Sequence, residues 1–309
     1  MAIRISAVIN TLNEEKNLGF ALRSIRSWVD EIIVVDMYSN DRTVEIAREF
    51  KAEVYFHKPA GYADPARAFA LSKATGDWIL ILDADEIVPE PLSRRLIEFA
   101  RDGSSADVVK IPRLNYMLGA PMGFTGWGPH QDKQLRFFRR GIVDANETIH
   151  NYLNPASHSR ILELPFESGL CLVHFPYSDT FSILEKLNRY TTIEARQALG
   201  RGEKGGPARA LFNALKEFIT RYLKAGGYRD GWRGLHLSII MGVYRLLTYL
   251  KLEELREIGE AESVVTGYGR TAERTVSAYA LPGEDPLRDQ QPSVNGMASS
   301  QRADFWTSQ

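Results

Sequence analysis

Four apolar runs in the first 83 residues, ISAVIN, EIIVVD, AEVYF and WILILD, are separated by segments whose apolar residues recur at helical spacing. Between the first two runs, Leu18, Leu22, Ile25 and Val29 stand three or four positions apart, and DRTVEIAREF and DPARAFALSKA continue the alternation. Parallel strands need a crossover and a helix supplies it, so this order predicts βαβ units. The expected domain is α/β, with a mostly parallel sheet covered by helices on both faces. Ligands of such sheets bind beyond the carboxyl ends of the strands.

That rule organises the polar residues. Thr11, Asn13 and Glu14 follow the first run, Asp36 ends the second, and Asp83, Asp85 and Glu86 end the fourth. A single acid in such a place is readily explained as a turn or helix cap. Recurrence at three strand ends points instead to a site. In the DAD of residues 83–85 the two aspartates are spaced to face the same side of an extended segment. Hard oxygen ligands of this kind suit Mg²⁺ or Mn²⁺ shared with a substrate diphosphate. Neither a Walker loop nor a GxGxxG follows the first run, which argues against P-loop and dinucleotide chemistry.

The formal charge of −1 gives no global case for nucleic acid, and none is expected as a partner. One cysteine, Cys171, leaves no internal disulfide framework and fits a reducing compartment. The first run lacks a small-residue cleavage site after it, so it reads as a strand and the chain is expected to start in the cytoplasm.

After residue 181 the spacing turns helical. The most apolar late segment, 235–252, is interrupted by His236, Arg245 and Lys251, so it is expected to be interfacial or buried rather than membrane-spanning. From Arg201 to Lys251, ten Lys/Arg residues face only Glu203, Glu217 and Asp230. A basic amphipathic surface favours an anionic membrane leaflet, although a solvated helical face has the same composition. Beyond Pro282 periodicity is lost.

The ordered segments ISAVINTLNEE, EIIVVDMYSNDRTVEIA and ARAFALSKATGDWILILDADE resemble the inverting family 2 glycosyltransferases of the GT-A fold. PHQDKQLRFFRRG, VHFPYSD and EKLNRYTTIEA resemble the bacterial subgroup that adds glucose to the inner core of lipopolysaccharide. The resemblance implies a GT-A domain over residues 1–180, with a nucleotide-sugar half to about 100 and an acceptor half beyond it. A basic helical, membrane-facing extension over 181–258 and a mostly disordered tail over 259–309 would follow.

The same resemblance implies roles. Thr11, Asn13, Glu14 and Asp36 would hold the nucleoside, Arg67 would lie near the diphosphate or base, and Asp83 would contact the ribose or a metal water. Asp85 would ligate the divalent cation, Mg²⁺ or Mn²⁺, with His150 as a further metal or diphosphate contact. Cation and nucleotide would then offset the repulsion among the acids of 83–86, with Glu86 supporting from behind. Asp132 takes the place of the base that deprotonates the acceptor, with Glu147 as understudy.

The implied partners are a nucleotide-diphosphate sugar, UDP-glucose first, a lipid-linked saccharide and an anionic membrane surface. The implied location is cytoplasmic, peripheral at the inner face of the membrane. Met37, Tyr38, Ala68 and Asn151 depart from the family pattern around the donor pocket. Transfer to a polyprenyl phosphate, a nucleotide-sugar-binding scaffold without turnover, and nucleotidyl transfer are the competing functions. Between 112 and 130 a Gly-, Pro- and aromatic-rich stretch reads either as a mobile acceptor loop, with Tyr116, Phe124 and Trp127 stacking on sugars, or as a loop packed on the core.

Overall fold

The structure is a computed structural model and describes residues 3–58, 64–102, 106–145, 153–167 and 169–279. The N-terminal half follows the expected alternation: β1 (Ile5–Thr11), α1 (Leu18–Ile25), β2 (Glu31–Asp36), α2 (Thr43–Glu49), β3 (Glu53–Phe56), α3 (Asp64–Lys73) and β4 (Trp78–Asp83). A two-residue β5 (Glu86–Ile87) and α4 (Glu90–Arg101) close this half. β6 (Val108–Met117), β7 (Ala120–Pro121), β8 (Lys133–Arg139), β9 (Val143–Ala145), β10 (Leu153–Pro155), β11 (Ile161–Glu163) and β12 (Leu172–Tyr177) follow. The chain continues through α5 (Thr180–Gly200), α6 (Pro207–Ile219), α7 (Gly231–Glu257) and α8 (Ala261–Tyr279).

The main sheet has the order β3-β2-β1-β4-β8-β6-β12-β5. β3, β2, β1 and β4 are parallel, as the sequence requires. β8 then enters antiparallel between β4 and β6, and parallel pairing resumes where β12 and β11 join β6, so the sheet is mixed beyond β4. Side chains alternate across the sheet. Ile5, Ala7 and Ile9 of β1 pack with α1 and α4, while Val8 of β1 and Ile79 and Ile81 of β4 pack with Ala66 and Ala70 of α3 and with Ala74 just beyond it. Trp78 stacks on Phe137 across the β4–β8 pair, with ring centroids 4.7 Å apart.

α5 is capped by Asp179, whose Oδ1 accepts the Ser182 N–H at 2.8 Å. One face of α7 is buried: Leu237, Ile240 and Tyr244 pack with Ile183 and Leu187 of α5 and with Met117 and Met122. Lys251 donates to Asn188, Thr191 and Thr192 of α5. The helical run Gly227–Glu257 is long and apolar enough to cross a membrane by length and composition, with 39% of its most apolar window buried.

Residues 1–253 form one compact unit, so most of the helical extension belongs with the sheet. The second unit, 254–309, contains α8, so the tail placed from 259 onward is helical over Ala261–Tyr279.

Candidate active site

Register places the acids where the strands end. Asn10 of β1 lies opposite Asp83 of β4, and Thr11 opposite Asp36 of β2. Parity turns Asp83 towards α3, the side taken by Ile79 and Ile81. There the guanidinium of Arg67 meets Asp83 Oδ1. The amide of Asn10 and the hydroxyl of Thr11 are buried without a hydrogen-bond partner among the described residues. Buried polar atoms are nearly always paired, so these mark a place for a ligand.

The neighbouring loops use part of the expected nucleoside set for themselves. Asp36 Oδ1 accepts the Ser39 N–H at 2.8 Å, and Ser39 Oγ accepts the Asn13 N–H at 2.8 Å. Asn13, at φ 56°, accepts the Asn40 N–H at 2.9 Å. Asn13 and Asp36 therefore tie the loops after β1 and β2 to one another. Burial raises the Glu14 carboxyl above the ordinary range, partly offset by a hydrogen bond from Asn17, and the charge of Asp85 adds to the rise.

The repulsion within 83–86 is relieved mainly by arginines. Arg136 meets Asp83 Oδ2 and lies 2.8 Å from Glu86 Oε1, and Arg113 Nη1 lies 3.1 Å from the same oxygen. Arg113 Nε continues to Asp132 Oδ2 at 2.9 Å. Arg67, Arg113 and Arg136 thus balance Asp83, Glu86 and Asp132 in a buried network. Glu86 also accepts the Asp83 N–H at 3.0 Å. Arg136 is a residue that the sequence did not single out. It falls at a shift of register where Val109 pairs Phe137 and Lys110 pairs Leu135. Such a bulge re-aims a side chain, here into the interior, where Arg136 is fully buried.

Asp132 stands with these groups, but its oxygens are occupied. Oδ2 accepts from Arg113 and, at 2.7 Å, from Asn115 Nδ2, and Oδ1 accepts from Gln134 Nε2. Burial opposes its ionisation, yet Arg113 and the amide donors hold the carboxyl below its usual range. Asp83 is likewise held far below, because Arg136, Arg67 and Arg113 outweigh burial.

Asn115 also sets a histidine. Its Nδ2 already donates to Trp127 O at 2.8 Å and to Asp132, so its Oδ1 must accept from His174 Nδ1–H, 2.6 Å away. His174 Nε2 therefore faces Asp85 Oδ2 at 3.4 Å. β12 makes this possible by pairing His174 with Asn115 of β6 on one side and Glu86 of β5 on the other. Asp85, though buried, is kept below its ordinary range by His174. An imidazole fixed through its other nitrogen beside a carboxylate is a usual pair of metal ligands. No cluster of three or more His, Cys, Asp or Glu suited to a metal occurs among the described residues. A hard cation that keeps substrate oxygens in its shell needs only one or two protein carboxylates, so Asp85 and His174 fit one. His150 and Glu147 lie outside the described residues.

A cleft of ≈ 350 Å³ opens beside Asp85, lined by Asn17, Phe20, Ala84, Glu86, Ile87 and Phe175. Of the aromatic residues expected to stack on sugars, Trp127 lies under Arg221 and Phe124 under Arg229, at 4.5 and 3.9 Å from the ring centroids. Asp230 accepts from the backbone of Gly123 and Phe124 at 3.0 and 3.1 Å. This loop is packed. Tyr116 instead contacts Phe175 at the cleft, centroids 5.3 Å apart.

The depressed carboxyls make stability depend on pH. Groups whose folded value is lowered stabilise the fold above the unfolded value, near 4, and that contribution is lost as pH falls through the folded one. For Asp83, Asp85 and Asp132 the melting temperature is expected to hold from pH 7 to about 5 and drop steeply below about 4. Thermal melts across that range check this, and a constant value down to pH 3 would contradict it.

Parallel βαβ units with acids gathered at their carboxyl ends, joined to an antiparallel β8–β6 pair with Asn115 on β6 and Asp132 just before β8, form a GT-A-like α/β fold. Residues 6–152 match the family described as Glycosyl transferase family 2. Residues 6–152, just under half of the chain, are thus similar to that family. It is 27% identical over 261 residues to an uncharacterised glycosyltransferase of Rickettsia typhi, covering 82% of this chain and 87% of that one. It is 26% identical over 255 residues to the lipopolysaccharide core biosynthesis glycosyltransferase LpsC of Rhizobium meliloti, covering 80% and 91%. A more distant likeness links it to glucosyl-3-phosphoglycerate synthase of Mycobacterium tuberculosis, solved with Mg²⁺ and UDP. There identity is 18%, coverage 67% and 82%, and the TM-score 0.42.

Proposed function

We propose that the protein is an inverting, metal-dependent glycosyltransferase that moves glucose from UDP-glucose to a lipid-linked saccharide such as the inner core of lipopolysaccharide. The observation that carries this reading is the chain of contacts Asp85, His174, Asn115, Asp132, which ties a metal-binding pair to a base candidate in one rigid unit. The likeness to a protein named for lipopolysaccharide core biosynthesis supports the acceptor class.

In this reading Asp85 and His174 hold Mg²⁺ or Mn²⁺, which when bound offsets the charge of the departing diphosphate. Asn10, Thr11 and the loop built by Asn13 and Asp36 receive the nucleoside. Arg67 and Arg136 keep Asp83 ionised and in place at the pocket floor. Asp132 takes the acceptor proton as its hydroxyl attacks the anomeric carbon, after exchanging its bond from Gln134 for one from the acceptor. The cleft beside Asp85 offers Phe20 and Phe175 to the face of the acceptor sugar.

One observation favours a second reading. The occupied oxygens of Asp132 suit a structural acid, and transfer to a polyprenyl phosphate, whose acceptor oxygen is already ionised, needs no base. Purified protein should release UDP from UDP-glucose in the presence of Mn²⁺ or Mg²⁺ and not with chelator. Asp132→Asn should then lower transfer to a saccharide acceptor by about 10²–10⁴-fold. Full activity of that variant on a polyprenyl phosphate would favour the second reading. Release from a different donor alone would replace the assignment of glucose.

A further inference from the structure

α6 and α7 form an antiparallel hairpin with a bare apolar face. Near its open end, Gly205 approaches Tyr249 O and Glu253; in its middle, Gly242 approaches Ala214 O and Phe218; at its tip, Gly234 approaches Gly227 O. Ala214, Phe218 and Gly242 are thus contact positions between the helices. One residue further along a helix turns the side chain by about 100°. In an antiparallel pair that turn brings both rows to the same side. The rows are Leu211, Leu215 and Ile219 on α6, and Leu235, Ile239 and Val243 on α7. All six are exposed, Leu211 at 65% and Ile239 at 49%. Trp232 extends the second row and is 60% exposed. A contiguous apolar surface of this size marks an interaction site.

The charges around it select the partner. Between residues 206 and 250 there are seven Lys/Arg residues and two acids, Glu217 and Asp230. Both acids are engaged within the fold: Glu217 lies 2.6 Å from Arg221, and Asp230 accepts from the loop at Gly123 and Phe124. Lys216 and Lys224 lie exposed beside the α6 row. A second copy of this face would meet it cation against cation. An anionic lipid surface instead receives the apolar rows in its acyl boundary, the lysines at its headgroups and the indole at the interface.

We propose that this face of the α6–α7 hairpin docks the protein on an anionic bilayer, lying in the interface without spanning it. The hairpin tip would carry the site with it. Arg221 Nη1 donates to Thr125 O at 3.0 Å and Gln131 Nε2 to Ala225 O at 3.1 Å, so the loop leading into Asp132 is fastened to the docking element. The inference stands on surface geometry and does not require the proposed donor or acceptor.

Sedimentation of the full chain with vesicles tests it without any substrate. Binding is expected to phosphatidylcholine vesicles containing phosphatidylglycerol, and not to phosphatidylcholine alone. Leu215→Glu with Ile239→Glu should lower binding at least roughly tenfold. Lys216→Glu with Lys224→Glu, which leaves the apolar rows intact, should lower it by a similar factor. Circular dichroism and UDP release should stay unchanged in both variants. Wild-type protein remaining in the supernatant with both vesicles would overturn the proposal, as would full binding by both variants. Equal loss from Val265→Glu in α8 would overturn it too. So would elution of the wild type as a dimer that the Leu215/Ile239 variant dissociates.

Discussion

Asp85→Asn is expected to lower metal-dependent UDP release by on the order of 10³-fold, because a bound cation contributes several kcal/mol to the transition state. The change keeps the shape of the side chain and removes its charge, so the fold should be retained. His174 Nε2, now 3.4 Å from a carboxylate oxygen, would face a neutral amide and lose the charged half of the pair. Two measurements check the prediction: UDP release as Mn²⁺ is titrated, and the melting temperature of the variant. Loss of activity with an unchanged melting temperature is the expected pattern. Activity within tenfold of wild type at every metal concentration would remove Asp85 from the site.

Arg136→Met is expected to cost about 3–5 kcal/mol of stability, measured as a shift of the urea midpoint at constant slope. Arg136 is 1% exposed and bonds to both Asp83 and Glu86. Removing it leaves two buried carboxylates with fewer cations: Asp83 retains Arg67, and Glu86 retains Arg113. An uncompensated buried charge costs more than an ion pair contributes, so the penalty should exceed that of losing an exposed pair such as Arg94–Glu90. It should also shrink as pH falls and Asp83, held ionised partly by Arg136, takes up a proton. A cost below about 1 kcal/mol would show that the remaining arginines carry the charge balance without it.

The first half of the chain was legible at the level of single elements. EIIVVD and WILILD match β2 and β4 residue for residue, and the helix assigned to DPARAFALSKA is α3 within one residue. α1 is shorter than its apolar spacing implied, ending at Ile25 although Val29 continues the row. The site was legible as a list of acids but not as an electrostatic structure. Asp36 and Asn13 were assigned to the ligand, and their side chains bond to the loops around it. His174 was visible only as a histidine in an apolar run, where a structural role is the ordinary expectation.

By itself, the sequence determined the parallel half of the sheet and the edge where the acids collect, because hydrophobic runs, their spacing and side-chain parity act over a few residues. Which charges neutralise which was decided by tertiary structure alone. Arg136 reaches Asp83 across 53 positions of sequence through a bulge in β8, and β12 enters between β6 and β5 to hold His174 against Asp85. The free energy of a buried charge depends on the partners within a few ångströms of it. Those partners come from strands that only the folded sheet makes neighbours.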